Sequence, residues 1–342
     1  MMTVSLCVVA YNEERFLPNL LQDLKNQTYP HVLTEIVLID GMSSDSTKQI
    51  MLNFANEESD FYSIQVLDNP ERIQAAGWNV AIANAKSDVI IRIDAHTHIP
   101  AEFTAKNMAL QEKGEYVTGG VRPCLIEDMT PWKQTLLEVE NSLFGSSVSK
   151  GRKNKECGYV KSMFHAAYRR EVFEKAGKFN TKLLRTEDNE MHYRIRKAGY
   201  KLCCDPNIVS YQYARSDLKK MIKQKYGNGY WIGLTLGVCP GCISIFHLVP
   251  FAFVMGILLT TALALCSFWQ PATLLWAAYG VFVLAGTICT VLNKHANRWT
   301  FFMPVVFFLL HFSYGVGSLS GIVKLPCFVQ KRNNKKRQEG GS

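Results

Sequence analysis

The chain has 342 residues, with 38 Lys and Arg against 29 Asp and Glu for a formal net charge of +9, and it is 48% hydrophobic and 20% charged. Those values exclude a disordered chain and leave room for one large domain or two ordinary ones. The 10 cysteines are scattered, several inside apolar stretches, which excludes a disulfide framework and fits a reducing cytosol.

Residues 4–10 form a short apolar β run, too short for a secretory signal, so the first half of the chain is expected to stay in the cytoplasm. After Tyr11-Asn12-Glu13-Glu14, Phe16, Leu17, Leu20, Leu21 and Leu24 recur at helical spacing. A second buried strand spans 35–40 and runs into Gly41, which permits a tight turn. Asp45 or Ser46 can cap the helix that starts at Thr47. A third strand covers 62–67, a third helix 73–85 and a fourth strand 89–94. Strands alternating with helices predict βαβ units and a mainly parallel sheet. Further on, 116–121 reads as a strand, with Gly119-Gly120 where backbone can approach a ligand closely. Residues 132–143 read as an amphipathic helix, 146–158 as a basic loop, 162–168 as a strand and 187–197 as a helix. Gly199 suits the left-handed cap of that last helix.

No Asp, Glu, Lys or Arg occurs over 231–269, 271–292 or 300–323. Stretches of that length suit a bilayer, which takes about 20 apolar residues per helix. The expected division is a soluble domain over 1–212, a basic amphipathic interfacial segment over 213–238, about three transmembrane helices over 239–325 and a basic tail over 326–342. Arg215, Lys219, Lys220, Lys223 and Lys225 precede the first apolar stretch; Lys331, Arg332, Lys335, Lys336 and Arg337 follow the last. Basic clusters beside spans read as anchors on anionic lipid at the cytoplasmic face. No nucleic-acid motif accompanies them, and no nucleic-acid partner is expected. A multi-pass protein of the cell (inner or plasma) membrane follows. Three crossings from a cytoplasmic start put the tail outside, against the positive-inside tendency. A re-entrant or second short span within 231–269 would return it to the cytoplasm, the side expected here.

Asp94-Ala95-His96 sets two donor groups two residues apart at the end of the fourth strand. In extended chain such residues face one side and can share one ion or one diphosphate. The competing readings are a carboxylate that caps the following loop with a packed imidazole, and a zinc site on His96 and His98. Glu187-Asp188-Asn189-Glu190 opens a helix, where acids complement the helix dipole; Asp188 is equally a candidate general base. Gly227-Asn-Gly229-Tyr-Trp-Ile-Gly233 has the wrong spacing and context for a dinucleotide fingerprint. Cys239-Pro-Gly-Cys242 lies in an apolar run and reads as a membrane-edge turn.

Four pieces in this order resemble a bacterial family 2 glycosyltransferase of the GT-A fold. They are Val8-Val-Ala-Tyr-Asn-Glu13, Val37-Leu-Ile-Asp-Gly-Met-Ser-Ser-Asp45, Arg92-Ile-Asp-Ala-His96, and the stretch over 168–200 that contains Glu187-Asp-Asn-Glu190. The apolar second half makes the chain similar to membrane-anchored transferases of exopolysaccharide assembly, such as those building succinoglycan. The resemblance implies that Tyr11, Glu13 and Asp40 line the base and ribose pocket and that Arg72 approaches the diphosphate. Asp94 and His96 take the place of the family's Asp-x-Asp motif, for Mn²⁺ or Mg²⁺, and Asp188 that of the base. Gly119, Gly120 and Glu187 border the acceptor. Gly41 and His96 depart from the usual acids, which bears on base preference and on metal use respectively. The Gln-x-x-Arg-Trp signature of processive synthases is missing. The expected activity is inverting, non-processive transfer from a nucleotide-sugar, with UDP-sugar the expected donor. The acceptor is a lipid-linked saccharide or a polyprenyl phosphate, and the catalytic domain is cytoplasmic. A non-catalytic membrane scaffold is the alternative class, against which the retained acids Asp40, Asp94 and Asp188 stand.

Overall fold

The computed structural model describes residues 1–126, 128–142, 145, 156–213, 217–293 and 295–339. Most of the basic loop expected over 146–158 lies outside the described residues, as do Arg215 and the side chains of the basic tail from Lys331 onward. The chain divides into two compact units, one of Met1–Leu125 with Ser149–Tyr213, the other of Ile126–Val148 with Ala214–Ser342.

The first unit is built on β1 (Val4–Ala10), β2 (Thr34–Asp40), β3 (Ser63–Asp68) and β4 (Val89–Asp94), all parallel. Helices α1 (Leu17–Lys25), α2 (Thr47–Glu57) and α3 (Gln74–Asn84) make the crossovers. Among the described residues, the sheet continues as β3-β2-β1-β4-β9-β6-β10-β8. The additional strands are β6 (Val117–Val121), β8 (Gly158–Val160), β9 (Ala167–Arg169) and β10 (Leu202–Val209). Antiparallel β9 sits between β4 and β6, so the sheet is mixed but mainly parallel. A small sheet adds β5 (Thr97–His98), β7 (Cys124–Leu125) and β11 (Tyr211–Tyr213). Helices α4 (Phe103–Glu112), α6 (Arg170–Ala176) and α7 (Glu187–Lys197) complete the unit.

Alternation along the strands splits the core. Leu6 and Val8 of β1 and Ile91 and Ile93 of β4 pack with α1 and α2 on one face. Cys7 and Ile90 pack with Trp78 and Ala81 of α3 on the other. Two crossovers thus run outward from β1 to β3 on one face, and α3 returns on the opposite face to β4. This reversal between β1 and β4 is a topological switch point, where open α/β sheets place ligands at the strands' carboxyl ends.

Helix α7 has the span that its sequence pattern predicts. Its cap is Gly199, at φ +96°, with Tyr200 N donating to Ile195 O at 3.2 Å. The strand expected over 162–168 is shorter than expected, because only 167–169 is extended. Residues 162–166 instead form a strap in which His165 adopts φ 48°.

The second unit contains α5 (Pro131–Asn141), α8 (Leu218–Thr235), α9 (Val249–Leu265), α10 (Gln270–Leu292) and α11 (Met303–Glu339). Residues 126–148, expected within the domain over 1–212, group with these helices. Leu136 and Val139 of α5 bury against Met221, Met303 and Phe307, which draws 126–148 into the helical unit. A buried ion pair joins α5 to α8, with Lys225 Nζ 2.7 Å from Glu140 Oε2. Two glycines of the rejected fingerprint, Gly229 and Gly233, have a packing reason. A Cβ on Gly229 would lie 2.0 Å from Tyr314 O, and one on Gly233 2.6 Å from Ser318 O, so α8 and α11 meet backbone to backbone. Among the described residues, three helices are long and apolar enough to cross a membrane: Ile245–Leu265, Gln270–Leu292 and Thr300–Gln330.

Candidate active site

The loops after β1 and β2 are tied together at the switch point. Asn12 N donates to Ser43 Oγ at 3.0 Å, Ser44 N to Asn12 Oδ1 at 2.8 Å, and Glu13 N to Thr47 Oγ1 at 2.8 Å. Asp40 is buried and accepts from Ser43 N at 3.2 Å on both oxygens, whereas Tyr11 is exposed. A Cβ on Gly41 would lie 3.1 Å from both Ala10 O and Tyr11 Cβ, so glycine here lets Tyr11 sit close to the second loop. Arg72 lies on the loop before α3, its side chain exposed.

Asp94 closes β4 at the centre of the sheet. Its Oδ2 is 3.2 Å from His165 Nε2, and its Oδ1 accepts from Gln74 Nε2 at 3.2 Å and lies 3.6 Å from Arg92 Nη2. Burial works against the charged form, but the His165 hydrogen bond and the Arg92 charge outweigh it. The Asp94 carboxyl is therefore held well below the usual carboxylate range. Arg92 points to the same face of β4 and lies over the Trp78 ring at 4.7 Å and near Phe179 at 5.6 Å. Its guanidinium forks onto Asp188: Nη1 pairs with Oδ1, and Nη2 donates to Oδ2 at 3.1 Å. One buried cation thus bridges the acid at the end of β4 and the acid in the first turn of α7.

His96 lies just beyond the strand. Residues 95 and 96 form a turn, so alternation ends at Asp94. Nδ1 of His96 is 3.1 Å from Glu13 Oε1, and Nε2 is 3.0 Å from Gln212 Nε2. With the amide N–H of Gln212 donating, Nε2 accepts and the ring proton sits on Nδ1, donated to Glu13. Burial disfavours the imidazolium, yet the Glu13 hydrogen bond and the Asp94 charge raise the His96 pKa; protonation requires the Gln212 amide to turn. His98 is structural: its Nδ1 is 2.8 Å from Asp23 Oδ2 and its ring stacks on Tyr211. Among the described residues, no three His, Cys, Asp or Glu cluster as a self-sufficient metal cage. A cation shared with a diphosphate needs fewer protein ligands. Asp94 retains carboxylate lone pairs for one bond, and His96 Nε2 is available on exchange for the Gln212 N–H, so these residues fit such an ion.

Glu187 is buried, and its Oε2 has no hydrogen-bond partner among the described residues. Burial, then the charge of Asp188, pushes its carboxyl up to about 8. The two glycines assigned to the acceptor region are hemmed in by the chain itself. A Cβ on Gly119 would lie 2.7 Å from Met163 Sδ, and one on Gly120 1.8 Å from Ile208 O. Sequence reasoning missed His165, Gln74 and Gln212, and left Arg92 without a role. Strain marks the same loops: of the described non-glycine residues with positive φ, Asn12, Met42, Arg72 and His165 all lie around this site. Such conformations cost about 1–3 kcal/mol each and concentrate where ligands are held.

Comparison with known proteins bears on the fold and the family. A mannosyltransferase of Pyrobaculum calidifontis, solved with GDP-Man and Mn²⁺, is similar in fold over 93% of this chain and 87% of its own, with TM-score 0.59 at 18% identity. This is a GT-A-like fold. The glycosyl transferase family 2 model matches residues 5–177, and the chain belongs to that family of glycosyltransferases. One relative, 26% identical over 94% of this chain and 97% of its own, is a dolichyl N-acetyl-α-D-glucosaminyl phosphate 3-β-D-2,3-diacetamido-2,3-dideoxy-β-D-glucuronosyltransferase of Methanococcus voltae. Another, 30% identical over 66% of this chain and 68% of its own, is the succinoglycan biosynthesis protein ExoA of Rhizobium meliloti.

Proposed function

We propose that this chain is an inverting, non-processive transferase that moves one sugar from a nucleotide-sugar, a UDP-sugar in our reading, to a polyprenyl-linked acceptor at the membrane. The observation that carries the proposal is the bridge from Asp94 through Arg92 to Asp188 at the switch point. It joins an acid suited to the donor diphosphate to an acid suited to the acceptor hydroxyl. Tyr11, Glu13, Asp40 and Arg72 flank the donor side. The dolichyl-linked substrate in one relative's name and the three apolar helices support an acceptor confined to the bilayer, with the sheet unit on the cytoplasmic side.

Asp188 accepts the proton of the acceptor hydroxyl as that oxygen attacks the anomeric carbon. Each carboxylate oxygen has a second lone pair, so Asp188 can bind the hydroxyl while Arg92 keeps it oriented. Attack from the face opposite the leaving diphosphate inverts the configuration in one displacement. Glu187, beside the base, borders the acceptor. Asp94 and His96 would hold Mn²⁺ or Mg²⁺, which when bound offsets the charge that grows on the diphosphate.

The test uses the purified full chain in lipid nanodiscs with Mn²⁺, a panel of UDP- and GDP-sugars, and polyprenyl phosphate or a polyprenyl-diphosphate saccharide. Release of nucleoside diphosphate that depends on the acceptor, with an inverted anomeric product, is expected. A retained configuration would contradict the single displacement. Turnover of GDP-sugars alone would remove the UDP assignment.

A further inference from the structure

Beneath Asp188 lies a hydrogen-bonded chain that the mechanism above does not use. Tyr168 on β9 and His192 on α7 are both buried, and Tyr168 Oη is 2.8 Å from His192 Nε2. The other ring nitrogen, His192 Nδ1, is 3.0 Å from Ser162 Oγ, at the start of the strap 162–166. The protons in this chain can be assigned by elimination. Among the described residues, the Tyr168 hydroxyl has one acceptor, His192 Nε2, so the phenol donates there. Nε2 then carries no proton, and Nδ1–H donates to Ser162 Oγ. Burial lowers the His192 pKa to about 4, consistent with a neutral ring. The Ser162 oxygen is thereby used as an acceptor, and its own proton has no acceptor among the described residues.

Position gives that proton a use. Asp188 and His192 are four residues apart on α7, hence on one face and about 6 Å apart along the axis. Ser162 stands on the same strap as His165, which holds Asp94 three residues later. Ser162 is also the partly exposed end of an otherwise buried chain. We infer that Ser162 is a further acceptor-binding residue, whose hydroxyl is aimed by Tyr168 and His192 to donate a hydrogen bond to an oxygen of the acceptor next to Asp188. Tyr168 and His192 are positioning residues: they act by denying the serine proton an inward partner.

This inference rests on the transferase reading, and the test separates the two. Sugar transfer to a polyprenyl-diphosphate saccharide and slow hydrolysis of the nucleotide-sugar without acceptor are measured for wild type, Ser162→Ala, Tyr168→Phe and the double variant. Ser162→Ala is expected to lower kcat/KM for the acceptor about three- to tenfold, the size of one neutral hydrogen bond, with the KM of donor hydrolysis unchanged. Tyr168→Phe should lower the same parameter, and the double variant should be no worse than Ser162→Ala, because both act through one proton. Acceptor kcat/KM within twofold of wild type in Ser162→Ala, or an equal fall in donor hydrolysis, overturns the inference and leaves the transferase reading standing. A wild-type chain that neither transfers nor hydrolyses overturns both.

Discussion

Replacing Arg92 with Met tests whether one buried guanidinium holds the site together. The substitution nearly preserves volume but leaves Asp94 and Asp188 without their shared cation, and it removes the charge that lies 4.7 Å over Trp78. Removing one partner of a buried ion pair costs about 3–5 kcal/mol, because the remaining charge is left uncompensated. For a domain of this size that corresponds to a fall in melting temperature of about 10 °C. Melting of the detergent-solubilised chain by tryptophan fluorescence reads it directly. Arg92→Lys keeps the charge but loses the fork onto Asp188, so an intermediate fall is expected. Combining Arg92→Met with Asp188→Asn should recover part of the loss, since one of the stranded carboxylates is then neutral. An Arg92→Met chain as stable as wild type, or a double variant showing the plain sum of the single effects, would refute the bridge.

Other consequences follow from the neighbouring groups. The Glu187 carboxyl is raised to about 8 in the fold, so the native state holds a proton that the unfolded chain releases above about 4.5. Its stabilising contribution is full in acid and is lost as pH rises from that value through about 8. Glu187→Gln should flatten this part of a stability-versus-pH curve, and an unchanged slope would place the titration elsewhere. Chelation by EDTA is predicted to stop transfer, and His96→Ala to raise the Mn²⁺ needed for half-maximal rate about tenfold or more. An unchanged Mn²⁺ requirement in His96→Ala would remove His96 from the ion, and full activity in EDTA would remove the ion itself.

The alternating strands and helices were legible because each is local: short continuous apolar runs for the strands, helical spacing for α1, and a glycine cap for α7. The candidate acids were legible because a strand end and a helix first turn are marked by local pattern. What joins them was not. Arg92 reaches Asp188 across 96 residues of sequence, and His165 reaches Asp94 only because its backbone leaves the extended region. Alternation also ends with the strand. It pairs Asp94 with Arg92 inside the strand, not with His96 in the turn beyond it. Gly120 looked like room for a ligand, but its missing Cβ is space that Ile208 O would otherwise have to vacate. Helix α5 follows the helices of the second unit rather than its neighbours in sequence, because its apolar face finds partners there.

The central claim is that Asp188 is the base acting on an acceptor while the donor is held independently near Asp94. Asp188→Asn keeps the shape and one of the two acceptor oxygens that face Arg92 while removing the charge and basicity. Nucleotide-sugar affinity by calorimetry and sugar transfer to the hydroxyl of a polyprenyl-diphosphate saccharide, measured on the same preparation, separate the two roles. The account predicts donor affinity within a few-fold of wild type and transfer reduced by a factor on the order of a thousand. Near-normal transfer by Asp188→Asn would contradict it.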